Sequence, residues 1–196
     1  MRFCFILVTF LALGAMGCAR KTMSTTSADS SGYSSAENTG LNANENREEK
    51  NAAGTENILI GVTTRMAFDQ APYNAWFHPT YQRYTPNPKI MEQLEPLLEG
   101  VTIKAYIGSW CLDSQRDLPR FIKIMDQARI PHSRFQLISL REDKSGLTGS
   151  EKTDSVTAVP TFILYKNGKE MGRIVETAYP TMEMNMVTIL QGTNPK

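Results

Sequence analysis

The residues with most chemistry to offer stand together at Trp110-Cys111-Leu112-Asp113-Ser114. An apolar run leads into this segment and a helical pattern leads out of it, which predicts Cys111 in the first turn of a helix. Unpaired backbone N–H groups and the positive end of the helix dipole there favour the thiolate, the nucleophilic form of cysteine. Ser114, three residues on, is expected to donate its hydroxyl to the sulfur without competing as a nucleophile. Trp110 shields one side and leaves an approach from the other. Asp113 brings negative charge close by, which pushes a thiol pKa up unless the Arg116 side chain folds back to offset it.

Other chemistry has less support. His78 and His132 are far apart in sequence, and their spacing with Cys111 does not argue for a three-ligand metal site. No metal or cofactor is expected. Lys166-Asn167-Gly168-Lys169 reads as a solvated hairpin, and residues 146–150 lack the lysine of a phosphate loop. Met182, Met184 and Met186 read as adaptable packing rather than a copper site. Lys+Arg 21 against Asp+Glu 20 gives a net charge of +1, which excludes a strongly basic nucleic-acid binder on bulk electrostatics.

The elements that must position Cys111 follow from hydrophobic spacing. Residues 101–108 read as a central strand, with Val101, Ile103, Ala105 and Ile107 on one face and Tyr106 on the other. The helix after Cys111 buries Leu118, Phe121, Ile122 and Met125. Residues 135–140 form a second strand, and a polar excursion over 141–153 precedes Val159-Pro160-Thr161 and the strand TFILY. Asn167-Gly168 turns the chain into a return strand, and residues 181–191 close with a helix. Upstream, residues 58–62 are a strand candidate. The prolines at 72, 79 and 86 divide an aromatic-rich stretch into short helical turns. Asn87-Pro88 starts a helix that Gly100 closes and Pro96 bends.

At this point the chain resembles the thioredoxin superfamily over about residues 101–191. The resemblance is carried by the Trp110 to Ser114 segment, by Pro119 eight residues after the cysteine, by Val159-Pro160-Thr161, and by the hairpin PTFILYKNGKEMGRIV. It implies an α/β fold, a central mixed sheet with helices on both faces. It also implies a cis Pro160 facing the reactive cysteine, with Val159 and Thr161 beside it to hold an extended substrate. Dithiol members carry a second cysteine where this chain has Ser114, and many bury an acidic residue at the position of Ala105. A serine hydroxyl cannot resolve a mixed disulfide, so the expected activity is monothiol exchange or isomerisation on protein or small-molecule disulfides, released by an external thiol. The alternative is a non-catalytic binding or scaffold domain in which the sulfur is a small half-buried apolar group.

The N-terminus sets the expected address. Arg2, an apolar run over residues 3–13 and the small residues before Cys18 resemble a bacterial lipoprotein signal. Residues 1–17 are then the signal and Cys18 the lipidated N-terminus of a membrane-anchored, extracytoplasmic protein at the periplasm or cell surface. Cys4 is discarded and Cys18 modified, so Cys111 is the remaining thiol. Residues 18–56 are too polar to repay the entropy of ordering and read as a disordered tether with a reach of roughly 30 to 40 Å. Residues 57–100 are expected to pack as an extension on a domain spanning 101–196.

Overall fold

The computed structural model describes residues 45–193. In chain order the strands are β1 (Arg47–Lys50), β2 (Asn57–Thr63), β3 (Val101–Ile107), β4 (Phe135–Ser139), β5 (Thr161–Lys166) and β6 (Lys169–Val175). The helices are α1 (Asn74–Arg83), α2 (Pro88–Leu97), α3 (Leu112–Gln127), the short α4 (Ser150–Thr153) and α5 (Met182–Leu190). The strands form one sheet in the order β1-β2-β4-β3-β5-β6. Only β3 and β4 pair in parallel; every other neighbouring pair is antiparallel.

Alternation along β3 builds two unequal cores. Val101, Ile103, Ala105 and Ile107 pack with Phe77 of α1, Met91 and Leu94 of α2, Phe121 and Met125 of α3, and Met186 and Val187 of α5. Tyr106 faces the other way, onto Ile138, Leu140, Val159 and Ile163. On that second side Asp154, at the end of α4, binds Lys104 Nζ at 2.7 Å and Tyr106 Oη at 2.5 Å. The mixed sheet flanked by helices is the architecture the resemblance implies, with most of the helical mass on one face. Asn167 and Gly168 adopt φ of 53° and 74°, the left-handed pair that a tight hairpin between β5 and β6 requires.

Three expectations change. The segment over 18–56, read as a disordered tether, contains β1, which pairs with β2 from Arg47 opposite Ile60 to Lys50 opposite Asn57. The Asn51 side chain organises the turn by accepting from Thr55 N at 2.8 Å and Glu56 N at 3.2 Å. Arg141 clasps Glu49, and Ala52 N donates to Glu142 at 2.7 Å. Backbone pairing, a remote ion pair and a remote hydrogen bond order this piece, and none of them leaves a mark in its hydrophobicity. The extension over 57–100 is likewise more than an appendage, because β2 pairs directly with β4 and buries Ile58, Leu59 and Ile60. Finally, α1 is one ten-residue helix containing Pro79. The bond that Pro79 cannot make would have gone to the carbonyl of Ala75, an exposed residue whose carbonyl water can serve.

Residues 1–44, and with them the signal, Cys18 and the first part of the tether, lie outside the described residues. Among the described residues no helix is long and apolar enough to cross a membrane.

Candidate functional site

β3 delivers the chain to Gly108, and a turn through Ser109 and Trp110 closes with Cys111 N–H donating to Gly108 O at 2.9 Å. Cys111 is the N-cap of α3, in extended conformation at φ −91° and ψ 125°. Its carbonyl accepts the Gln115 N–H at 2.9 Å, while its side chain is left uncommitted to the helix end. The half-buried thiol donates to Val159 O at 3.4 Å. The Val159-Pro160 peptide is cis, as the resemblance implies.

The neighbours divide into those that face the sulfur and those that support it. Trp110 packs with Cys111 against the second core, and its Nε1–H donates to Leu140 O at 2.9 Å. Gly108 is needed beneath it, since a Cβ there would meet the indole ring at 2.6 Å. Ser114 departs from its expected role. It is fully buried, and its Oγ accepts the Gly108 N–H at 3.1 Å, while the thiol's own hydrogen bond goes to Val159. Its hydroxyl therefore fastens the first turn of α3 to the end of β3. Thr161 also looks inward: it is paired in the sheet to Tyr106 and Val175, and its hydroxyl donates to Ala158 O at 2.7 Å. The Pro160 carbonyl accepts Glu176 N–H at 2.8 Å. Of the residues flanking Pro160, Val159 is the one against the sulfur.

Arg116 does fold back. Its Nη1 reaches Asp113 Oδ1 at 2.5 Å, and its Nε and Nη2 grip both oxygens of buried Asp117 at 2.9 and 2.7 Å. The hydrogen bonds to Asp117, then the charges of Asp117 and Asp113, outweigh burial and hold the guanidinium pKa above its ordinary value. Nη2 also donates to Glu176 O at 3.2 Å, which ties α3 to the segment behind Pro160. Arg120 adds a contact to Asp117 at 3.3 Å. Sequence reading weighed Arg116 only as a foil for Asp113 and missed Asp117 and Arg120; acid–base pairs three apart at 113/116 and 117/120 were the available signal. It also missed Leu112, 79% exposed and next to Cys111 in the chain.

The remaining candidates stay apart. His78 pairs with Asp69 at 2.8 Å and His132 lies against Phe135, and among the described residues no cluster suited to a metal forms.

No family model and no curated protein matches the chain. Solved structures similar to it include a Pseudomonas aeruginosa protein of unknown function, with 13% identity, 64% of this chain and 87% of that one covered, and a TM-score of 0.48. Thioredoxin O2 of Arabidopsis thaliana in its oxidised state matches with 16% identity, 53% and 84% coverage and a TM-score of 0.33. Fasciola hepatica thioredoxin matches with 20% identity, 50% and 88% coverage and a TM-score of 0.34.

Proposed function

We propose that this is a monothiol thiol–disulfide exchange protein of thioredoxin-like type, in which Cys111 is the nucleophile. The observation that carries the reading is the sulfur at the start of α3, half-exposed and 3.4 Å from Val159 O beside Pro160. The sulfur reacts as its thiolate, the nucleophilic form of cysteine. It attacks one sulfur of a partner disulfide. The Cys111–sulfur bond forms, the partner's S–S bond breaks, and the second partner sulfur leaves and takes a proton from solvent. Ser114 cannot resolve the adduct. An external thiolate attacks the partner sulfur, forms a new disulfide with it and returns Cys111. Where that second thiol belongs to the partner itself, the outcome is isomerisation. Trp110 walls one side of the sulfur, and Val159 with Pro160 forms the other.

The test is the rate at which Cys111 reacts with a thiol reagent from about pH 4 to 10, read by peptide mapping. An apparent pKa below about 8.5 supports the reading, and one above it with slow labelling contradicts it. A second reading, a binding domain, draws on the commitment of the Ser114 hydroxyl to Gly108 rather than to the sulfur. It expects partners to be retained after Cys111→Ala, whereas exchange requires their loss as mixed disulfides.

We further propose that Cys18 is acylated and holds the domain at an extracytoplasmic membrane surface, with extracytoplasmic disulfides as its substrates. Radioactive fatty-acid labelling of the expressed chain is expected and should vanish in Cys18→Ser. Equal labelling of the two would contradict it.

A further inference from the structure

A cleft of about 500 Å³ opens between α1 and α3, lined by Trp76, Arg83, Tyr84, Gln115, Arg116 and Arg120. Three guanidinium groups around one concavity are unusual enough to ask what charge they balance. Arg116 is matched by Asp113 and by buried Asp117, which Arg120 also contacts. The other nearby acid, Glu183, is buried and accepts from Tyr84 Oη and Asn87 N. Arg83 uses only its Nε, on the Pro79 carbonyl at 3.1 Å, and among the described residues no carboxylate pairs with it. Asp113, Asp117 and Glu183 match the three arginines in number, but none of these carboxylates lines the cleft, so the groups that face the opening are guanidinium groups. Two of them are also held in place, Arg116 by its fork on Asp117 and Arg120 by Asp117 and the Tyr84 ring, 5.5 Å from its guanidinium carbon. Fixed donors lose little freedom when they bind.

The cleft is linked to the surroundings of Cys111 by hydrogen bonds. Arg116 lines it and also donates to Glu176 O, whose residue's N–H binds the Pro160 carbonyl. Gln115, on the opposite flank, donates to Ser109 O at 2.9 Å and borders a second cleft shared with Trp110. At about 1.5 Å per helical residue, Arg116 and Arg120 stand roughly 8 to 14 Å along α3 from Cys111. Along the axis alone, an extended chain covers that distance in about two to four residues.

We propose that this cleft is a carboxylate-binding subsite, and that the preferred partner is a peptide with an acidic side chain two to four residues from its reacting cysteine. The proposal rests on the exchange reading and adds to it a rule of partner choice. Arg83 supplies the uncommitted charge, and Arg120 and Arg116 supply preset donors.

Two synthetic peptides test it by calorimetry against the full chain. Both carry serine in place of cysteine, so that no covalent step contributes; one has Glu three residues away and the other has Gln. The acidic peptide is expected to bind about tenfold more tightly at about 20 mM salt and to lose most of that advantage near 0.3 M. Arg83→Ala, an exposed position, is expected to erase the preference, and Arg83→Lys to restore part of it. Equal affinity for the two peptides, absence of binding, or a preference unchanged in Arg83→Ala would overturn the subsite. Exchange with a neutral disulfide peptide reads the Cys111 chemistry separately, so either idea can fail alone.

Discussion

Ser114 shows how one atom's partner changes a site's logic. Three positions after the cysteine, its type suggested a donor to the sulfur, yet the bond its oxygen makes is to Gly108 N–H at 3.1 Å in a fully buried setting. Removing it leaves that N–H unpaired, so Ser114→Ala is expected to cost about 1 to 2 kcal/mol of stability, measured by urea unfolding. Labelling of Cys111 in the same variant should change by less than about threefold. A loss of reactivity without a loss of stability would restore the hydroxyl to the sulfur. By contrast, the effect of Arg116 on Asp113 was readable, because a charge three residues away on a helix surface meets its partner. The inward aim of Ser114 was not, since it depends on how α3 is set against the end of β3.

At the level of elements, the strands and helices around Cys111 were legible because each carries a period. The alternation of β3, the helical spacing of Leu118, Phe121, Ile122 and Met125, and the Asn167-Gly168 turn all have local causes. β1 has none. Arg-Glu-Glu-Lys is a polar run whose order comes from the β2 backbone and from Arg141, 92 positions from Glu49. A tether would be cut by trypsin at Arg47 and Lys50 at once. Pairing with β2 predicts that both bonds resist limited digestion until β2 itself unfolds, as followed by mass spectrometry. Immediate cleavage at both would remove β1 from the sheet. Pro79 teaches the same lesson in reverse: proline was read as a divider, but Phe77, stacked on Phe68 at 5.4 Å and on Tyr81 at 5.9 Å, holds the helix through it.

Across the whole molecule, the two sides of the sheet are stabilised differently. The first is an apolar core under four helices. The second depends on a polar knot in which burial opposes ionisation of Asp154, but hydrogen bonds from Lys104 and Tyr106 prevail and keep its pKa below the ordinary value. A depressed carboxyl pKa adds stability above the unfolded value, near 4, and that stability is lost as pH falls through the lower folded value. Glu49, held down by Arg141, has the same sign. The urea midpoint is therefore expected to drop between about pH 5 and 2, and Asp154→Asn should flatten that drop. An unchanged acid limb would contradict the knot. Burial, followed by the charge of Asp154, pushes Tyr165 up to about 12, so its contribution is fully present below about pH 10 and is lost as pH rises through its folded value.

The central claim is that one sulfur exchanges disulfides and needs help to let go. The direct measurement incubates the full chain at neutral pH with two single-cysteine peptides joined by a disulfide, so that the second sulfur leaves with its own peptide, and maps the adducts by mass spectrometry. A mixed disulfide is expected on Cys111, absent in Cys111→Ser, persisting until a small thiol is added and then lost. Labelling of Cys111 only after unfolding, or an adduct that clears with no added thiol, would contradict it.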